Sequence, residues 1–423
     1  MSSALLLTVC ISALCMPTAW CFFIADTVTN RKVSLRSSSS SDSTALSRIS
    51  DPLTGQIPPT VWTYFAELQA SQPSPSTLIN LGQGYPDSSP PQFALESLAS
   101  AVSDATTSHL HQYTRSSGHP FLVKTLASRY STHFNRFVDP MKEVVVTVGA
   151  SQALFVSLQS LVKEGDEVVV FSPYFDLYIN QIKLAGGVPV LCDLCYDKEE
   201  KIWDFDKSNF ERCLTPKTSV VVLNSPHNPT GKTFSRVEME VIASSIEAHK
   251  DSHIRVLSDE VYKFIIHKGE QVSEGGASYV VNDITIYGTA RHSVNIFPTT
   301  SLMQHTHFAT IPSMSERTIT ISSAGKTFSA TGWQVGWAVG EPHLIQGMQS
   351  LMPYVQFCAS TVVQEGVGRS IIRAGEREGE YYESLRNDYK RKRDVIIAGL
   401  RAANENYASG SDDIFRLPSF DDR

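Results

Sequence analysis

The sequence of 423 residues predicts an α/β fold: a mostly parallel seven-stranded sheet with helices on both faces. Short β-branched runs at 144–149, 167–172, 188–194, 219–225, 254–258, 318–323 and 334–340 alternate with helical stretches of about 10 to 15 residues, the pattern of parallel strands joined by crossover helices. Within the runs, successive residues are apolar, as in Val144-Val145-Val146-Thr147-Val148 and Ser219-Val220-Val221-Val222-Leu223, which predicts burial on both faces of the sheet.

Taken in chain order, residues 4–14 form an apolar stretch too short to span a bilayer, and Ala19-Trp20-Cys21 provides a small-residue cleavage site, as in a signal peptide. The following segment to residue 50 is rich in serine, with Arg31, Lys32, Arg36 and Arg48 opposed only by Asp26 and Asp42, which is transit-peptide composition. Residues 1–50 therefore read as a signal-plus-transit leader similar to the bipartite plastid leaders of algae with secondary plastids; secretion and a mitochondrial address are the alternatives. Residues 51–80 read as an N-terminal arm with a helix over 60–68, and residues 81–341 as a large domain that holds the strands. An atypical insertion near 274–304 interrupts it, of a length expected of a lid, a disordered excursion or a translated intron. Residues 342–423 begin a second, partial small domain with a long charged helix near 376–403.

Composition narrows the function. With 42% hydrophobic and 19% charged residues the chain suits a globular enzyme, and a net charge of −7 without a basic run leaves no footprint for nucleic acid. No membrane association is expected of the mature chain. Of seven cysteines, Cys10, Cys15 and Cys21 fall in the leader, Cys213 and Cys358 are isolated, and Cys192-Asp193-Leu194-Cys195 lacks a second pair to complete a zinc site. Twelve histidines include no H-E-x-x-H spacing, so no catalytic metal is expected.

The chemistry is concentrated where strands end. Asn224-Ser225-Pro226-His227-Asn228-Pro229-Thr230-Gly231, Ser258-Asp259-Glu260-Val261-Tyr262 and Ser322-Ser323-Ala324-Gly325-Lys326-Thr327-Phe328-Ser329 each close a β-branched run. Ligands of parallel sheets bind at the carboxyl ends of strands, so Asn228, Asp259, Tyr262 and Lys326 can converge on one ligand. Lys326 stands among small residues that leave room for a ring and hydroxyls that can hold a phosphate, a setting suited to covalent attachment of pyridoxal phosphate. Gly149-Ala150-Ser151-Gln152 ends one strand and opens a helix, where free amides and the helix dipole favour a dianion.

In combination these segments resemble class I/II aminotransferases of the aspartate aminotransferase fold. Leu81-Gly82-Gln83-Gly84-Tyr85-Pro86-Asp87, His111-Gln112-Tyr113-Thr114-Arg115, Ser172-Pro173-Tyr174-Phe175-Asp176 and Ser323 through Trp333 are most similar to the kynurenine aminotransferase/cysteine-conjugate β-lyase group, over about residues 52–400. The resemblance implies that Lys326 is catalytic and carries pyridoxal 5′-phosphate, that Asp259 faces the ring nitrogen, and that Tyr262 and Asn228 donate to the ring oxygen. It further implies Phe175 against the ring face, Ala150, Ser151, Gln152 and Ser323 on the phosphate, and Tyr113 on the phosphate of the neighbouring subunit of a homodimer with shared active sites. Gly84, Tyr85 and Asn228 are implied substrate contacts. The implied substrates are an amino acid (kynurenine, glutamine, an aromatic or sulfur amino acid) and a 2-oxo acid, with β-lyase activity on cysteine conjugates as a side reaction. An aspartate/prephenate-type aminotransferase and a catalytically dead binding protein are the alternatives.

Two departures from the family pattern stand out. Gln334 occupies the position after Gly-Trp where the family carries lysine or arginine, which predicts weaker cofactor retention because a neutral hydrogen bond to phosphate replaces a charge-assisted one. The likeness fades after Arg401-Ala402-Ala403, and no residue is assigned to the arginine that clamps the substrate carboxylate in the family; Arg416 and Arg423 lie far from any motif.

Overall fold

The computed structural model describes residues 61–71, 84–197, 202–249, 253–267, 305–376 and 380–407. The leader, the whole of the insertion and the last 16 residues, 408–423, lie outside the described residues. The chain forms two compact units, Met1–Gly84 and Tyr85–Arg423. The first contains the helix α1 (Val61–Ala70), close to the 60–68 helix expected from the sequence.

The second unit runs α2 (Gln92–Ser103), α3 (Pro120–Phe134), β1 (Val144–Val148), α4 (Gly149–Leu161), β2 (Glu167–Ser172), α5 (Leu177–Leu184) and β3 (Val188–Asp193). A small hairpin of β4 (Cys195–Asp197) and β5 (Ile202–Asp204) follows, then α6 (Lys207–Cys213), β6 (Thr218–Asn224), α7 (Arg236–Ala248) and β7 (Arg255–Asp259). The last elements are β8 (Thr318–Ser323), the short α8 (Ala324–Thr327), β9 (Val335–Val339), α9 (Pro342–Val355), α10 (Thr361–Glu376) and α11 (Glu380–Tyr407). Sequence signals mark several of the boundaries. Ser235 and Glu238 form a reciprocal capping box that starts α7, and Pro120 and Pro342 occupy first-turn positions where a missing N–H costs nothing.

Seven strands pair in the order β1-β9-β8-β7-β6-β2-β3. The pairs β2/β3, β2/β6, β6/β7 and β7/β8 are parallel, while β9 runs antiparallel to both β1 and β8. Within this sheet every strand except β9 therefore points the same way, and the sheet is mostly parallel as the alternation of runs predicts.

Residue parity explains the continuous apolar runs. Val145, Val168, Val170, Val220, Val222, Leu257, Ile319 and Ile321 pack on one face with Leu154 of α4 and Ile345 and Met348 of α9. Their neighbours turn the other way: Val144 and Val146 join Leu122 and Leu126 of α3, and Val169, Phe171, Val221 and Val256 join Ile242 and Ile246 of α7. Because successive strand side chains alternate between faces, a strand covered on both sides needs apolar residues at every position.

Register then sets the site. Asn224 pairs with Asp259 and Asp259 with Ile321, so the carboxyl ends of β6, β7 and β8 are level. Gly336, near the start of the antiparallel strand, pairs with both Thr147 and Ser323 and brings β9 to the same edge. A Cβ on Gly336 would lie 2.3 Å from the carbonyl carbon of Gly149 and 2.5 Å from the amide nitrogen of Ala150, so only glycine lets β9 approach the start of α4 this closely.

Candidate active site

At this edge a cavity of about 210 Å³ is lined by Gly149, Ala150, Ser151, Leu154, Phe175, Tyr178, Asn224, Asn228, Asp259, Val261, Tyr262, Ser323, Gly325, Lys326, Thr331, Gln334 and Val335. It draws on the ends of β6, β7 and β8 and on the first turn of α4, whose leading amides have no acceptor within the helix.

Asp259 is the last residue of β7 and is buried. Its Oδ2 accepts a hydrogen bond from the Tyr178 hydroxyl at 2.7 Å, and its backbone carbonyl accepts one from Asn224 Nδ2 at 2.9 Å. Burial raises the carboxyl to about 6, against the opposing pull of the Tyr178 hydroxyl, the Val261 amide and the Lys326 charge. A carboxylate kept from water in this way is primed for a cationic partner.

Lys326 lies in α8, one turn past the end of β8. Burial pushes its ammonium below the ordinary lysine range, with the charge of Asp259 opposing the shift. Its Nζ stands 5.5 Å from the centre of the Tyr262 ring. Burial raises the Tyr262 hydroxyl, as does the nearby Asp259 charge, while a hydrogen bond with the Asn228 side chain opposes both, so Tyr262 remains a neutral donor. Asn228 is itself fixed by a 2.6 Å bond from its backbone amide to Asn224 Oδ1.

The cavity thus gathers Ala150, Ser151, Phe175, Asn228, Asp259, Tyr262, Ser323 and Lys326, all singled out from the sequence. Gln152, Tyr85 and Tyr113 are not among its walls. The side chain of Gln152 is committed to the β1–α4 junction: its Oε1 accepts from the Val148 amide at 2.7 Å and its Nε2 donates to Gln356 at 3.1 Å. Tyr85 is 61% exposed, and Tyr113 is 81% exposed with its ring against Phe357 at 4.8 Å. Gly84 belongs to the first unit.

Tyr178, Asn224 and Thr331 are among the wall residues to which the sequence assigned no role. Tyr178 lies one helical turn after Phe175, with the two rings 5.6 Å apart edge to face. Asn224 carries the signal that could have revealed it, a polar amide terminating an otherwise apolar buried run. Thr331 lines the cavity beside Gln334, whose Nε2 donates to the Thr331 carbonyl at 2.6 Å.

The donor set fits pyridoxal phosphate: one cavity offers a buried carboxylate, a desolvated lysine, a tyrosine–asparagine donor pair and the amino end of a helix with Ser151 and Ser323. The chain belongs to the class I and II aminotransferases, whose family model matches residues 76–422. That match continues beyond residue 400, where the resemblance was expected to fade, so it includes the segment after Arg401-Ala402-Ala403. The chain is an aminotransferase. It is 35% identical to kynurenine--oxoglutarate transaminase of Dictyostelium discoideum, over 83% of this chain and 73% of that protein. To kynurenine--oxoglutarate transaminase 1 of Homo sapiens it is 34% identical, over 81% of this chain and 73% of that protein. Among solved structures, N-succinyldiaminopimelate aminotransferase of Mycobacterium tuberculosis superposes with a TM-score of 0.66 at 30% identity, over 81% of this chain and 77% of that one. An aspartate aminotransferase variant of Thermus thermophilus superposes with a TM-score of 0.68 at 26% identity, over 84% of this chain and 81% of that one. Among the described residues no helix is long and apolar enough to cross a membrane.

Proposed function

We propose that the chain uses pyridoxal 5′-phosphate at Lys326 to move the amino group of kynurenine, glutamine or another aromatic or sulfur amino acid to a 2-oxo acid. The observation that carries this reading is the placing of buried Asp259 and desolvated Lys326 in the walls of one cavity, together with similarity to kynurenine--oxoglutarate transaminases. Pyridoxal phosphate supplies an aldehyde that bonds to amines and a ring that accepts the electron pair left when the substrate α-carbon loses its proton.

The protein's part follows from its own groups. Lys326 Nζ, kept toward its neutral form by burial, takes the proton from the α-carbon and later returns one, as general base and then general acid. Asp259 presents a fixed anion to the protonated ring nitrogen; a cation bound there stabilises the ionised carboxyl in turn. Tyr262 and Asn228 donate to the ring oxygen, and Phe175 covers the ring. The first-turn amides at Ala150, Ser151 and Gln152, with the Ser323 hydroxyl, hold the phosphate. For Gln152 this role rests on its backbone, because its side chain is engaged elsewhere. Asn228, in the cavity wall, contacts the substrate. The same chemistry can expel a leaving group from the β-carbon, which supports β-lyase activity on cysteine conjugates.

The test is direct. Cofactor-loaded protein incubated with kynurenine and 2-oxoglutarate is expected to form glutamate at a rate that scales with enzyme. Turnover of aspartate with none of kynurenine, glutamine or phenylalanine would move the assignment to the aspartate/prephenate type.

Gln334 makes a prediction of its own. Its side chain lines the cavity beside Gly149. Gln334→Lys restores a charge-assisted bond to phosphate, worth about 1 kcal/mol more than a neutral one, so pyridoxal phosphate should dissociate about fivefold less readily in equilibrium dialysis. An unchanged affinity would place residue 334 off the phosphate.

A homodimer with shared sites belongs to this reading. Tyr113 at 81% exposure, Tyr354 at 89% and Phe357 at 55% form apolar surface of the kind that partners cover, which supports Tyr113 reaching the neighbouring phosphate. Sedimentation equilibrium tests it: a monomer at assay concentration would contradict shared sites. The composition of residues 1–50 supports delivery to a plastid, tested by fusing them to a fluorescent protein in an alga with secondary plastids.

A further inference from the structure

A buried cluster lies immediately behind the candidate active site and takes no part in the proposed reaction. Glu260 follows Asp259 and is completely buried, with its amide donating to the Ile321 carbonyl of β8 at 2.9 Å. Its Oε1 accepts from Ser258 Oγ at 2.8 Å, and its Oε2 accepts from His307 Nδ1 at 2.5 Å. His305 Nε2 lies 3.1 Å from the same Oε2, and the His305 side chain is 5% exposed. Among the described residues no second partner stands within hydrogen-bond reach of the His305 ring nitrogens, so Glu260 is the group they face.

A simple ion-pair network leaves this arrangement unexplained. Glu260 and His307 already satisfy each other, yet a second buried imidazole, that of His305, points at the same oxygen. The backbone at His307 is extended, and in extended chain residues two apart face the same side, so His305-Thr306-His307 aims two rings at one carboxylate. The three facing atoms lie within 4.8 Å of one another. Two imidazole nitrogens and one carboxylate oxygen form a borderline donor set that suits Zn²⁺, with a fourth position left for water.

We propose that Glu260 Oε2, His305 Nε2 and His307 Nδ1 bind a divalent transition-metal ion, best matched by Zn²⁺, which ties the end of β7 to the chain segment entering β8. Ser258, bonded to the other oxygen of Glu260, orients the carboxylate from behind. Tyr130, His133, Phe134 and Lys263 complete the surroundings: the His133 and Phe134 rings are 4.9 and 5.6 Å from that of His307, and Lys263 Nζ donates to the Tyr130 hydroxyl at 2.7 Å. The ion would be structural, anchoring the strand end that carries Asp259.

The experiment compares wild type with His305→Ala, both loaded with cofactor, by Zn²⁺ titration against a chelating indicator and by elemental analysis after gel filtration. Wild type should retain about one Zn²⁺ per chain, and His305→Ala should bind at least about 100-fold more weakly, since losing even an outer-shell partner of a metal site costs about 10- to 100-fold. Equal affinity in the two proteins, or no stoichiometric retention by wild type, overturns the proposal. Should His305→Ala fail to fold by circular dichroism, Co²⁺ substitution of wild type decides: visible bands of four-coordinate Co²⁺ without a thiolate charge-transfer band support the site, and a six-coordinate or thiolate spectrum refutes it.

Discussion

Lys326→Ala is expected to lower kcat/KM for amino transfer by at least about 10⁴-fold, because one substitution removes both the covalent anchor of the cofactor and the proton carrier. The fold should survive. The Lys326 ammonium is destabilised by burial, and its removal relieves that cost, so the cofactor-free variant should melt no earlier than wild type. Lys326→Arg sharpens the test: it keeps a cation in the cavity, yet guanidinium neither forms the covalent bond nor releases a proton near neutral pH, so it too should be inactive. A variant that retains a tenth of wild-type activity would remove Lys326 from the chemistry.

Asp259→Asn should reduce kcat by about 10²- to 10³-fold, the loss typical of removing one preorganised electrostatic partner. Its effect on stability has the opposite sign. The folded-state value of about 6 exceeds the reference value of 3.8, so the folded protein holds the proton more tightly than the unfolded chain. The resulting stabilisation is fully present below pH 3.8 and is lost as pH rises through about 6. The asparagine variant has nothing to lose over this window. Cofactor-free Asp259→Asn should therefore exceed wild type by on the order of 3 kcal/mol at pH 8 and match it near pH 4, as measured by urea unfolding. A bound ring cation reverses this preference, so loading wild type with pyridoxal phosphate should shrink the difference. Equal stability at pH 8 without cofactor would mean that the carboxyl is not held in a desolvated state.

Much of this arrangement was legible from local pattern. Strands buried on both faces leave uninterrupted β-branched runs, and the runs at 144–149, 167–172 and 318–323 coincide with β1, β2 and β8 to within a residue. Asn228, Asp259, Tyr262 and Lys326 could be linked because each lies at or just past the end of a parallel strand, where topology brings side chains together. What stayed hidden depends on contacts across the fold. Tyr178 reads as a core aromatic in a helix until the packing of α5 brings its hydroxyl to Asp259. Gln152 reads as part of a phosphate loop until its amide group is seen bridging Val148 and Gln356, a residue 204 positions away. Glu260 and His307 are 47 residues apart, beyond the reach of any local ligand spacing. Gln334 was visible in the sequence as a departure, but its left-handed backbone, at φ 50°, and its bond to the Thr331 carbonyl belong to the folded turn.

The most direct measurement is borohydride reduction of the cofactor-loaded protein followed by peptide mapping. A single pyridoxyl group on Lys326 is the predicted result. Modification at another lysine, or none on folded protein supplied with pyridoxal phosphate, would contradict the assignment of this cavity as the cofactor site.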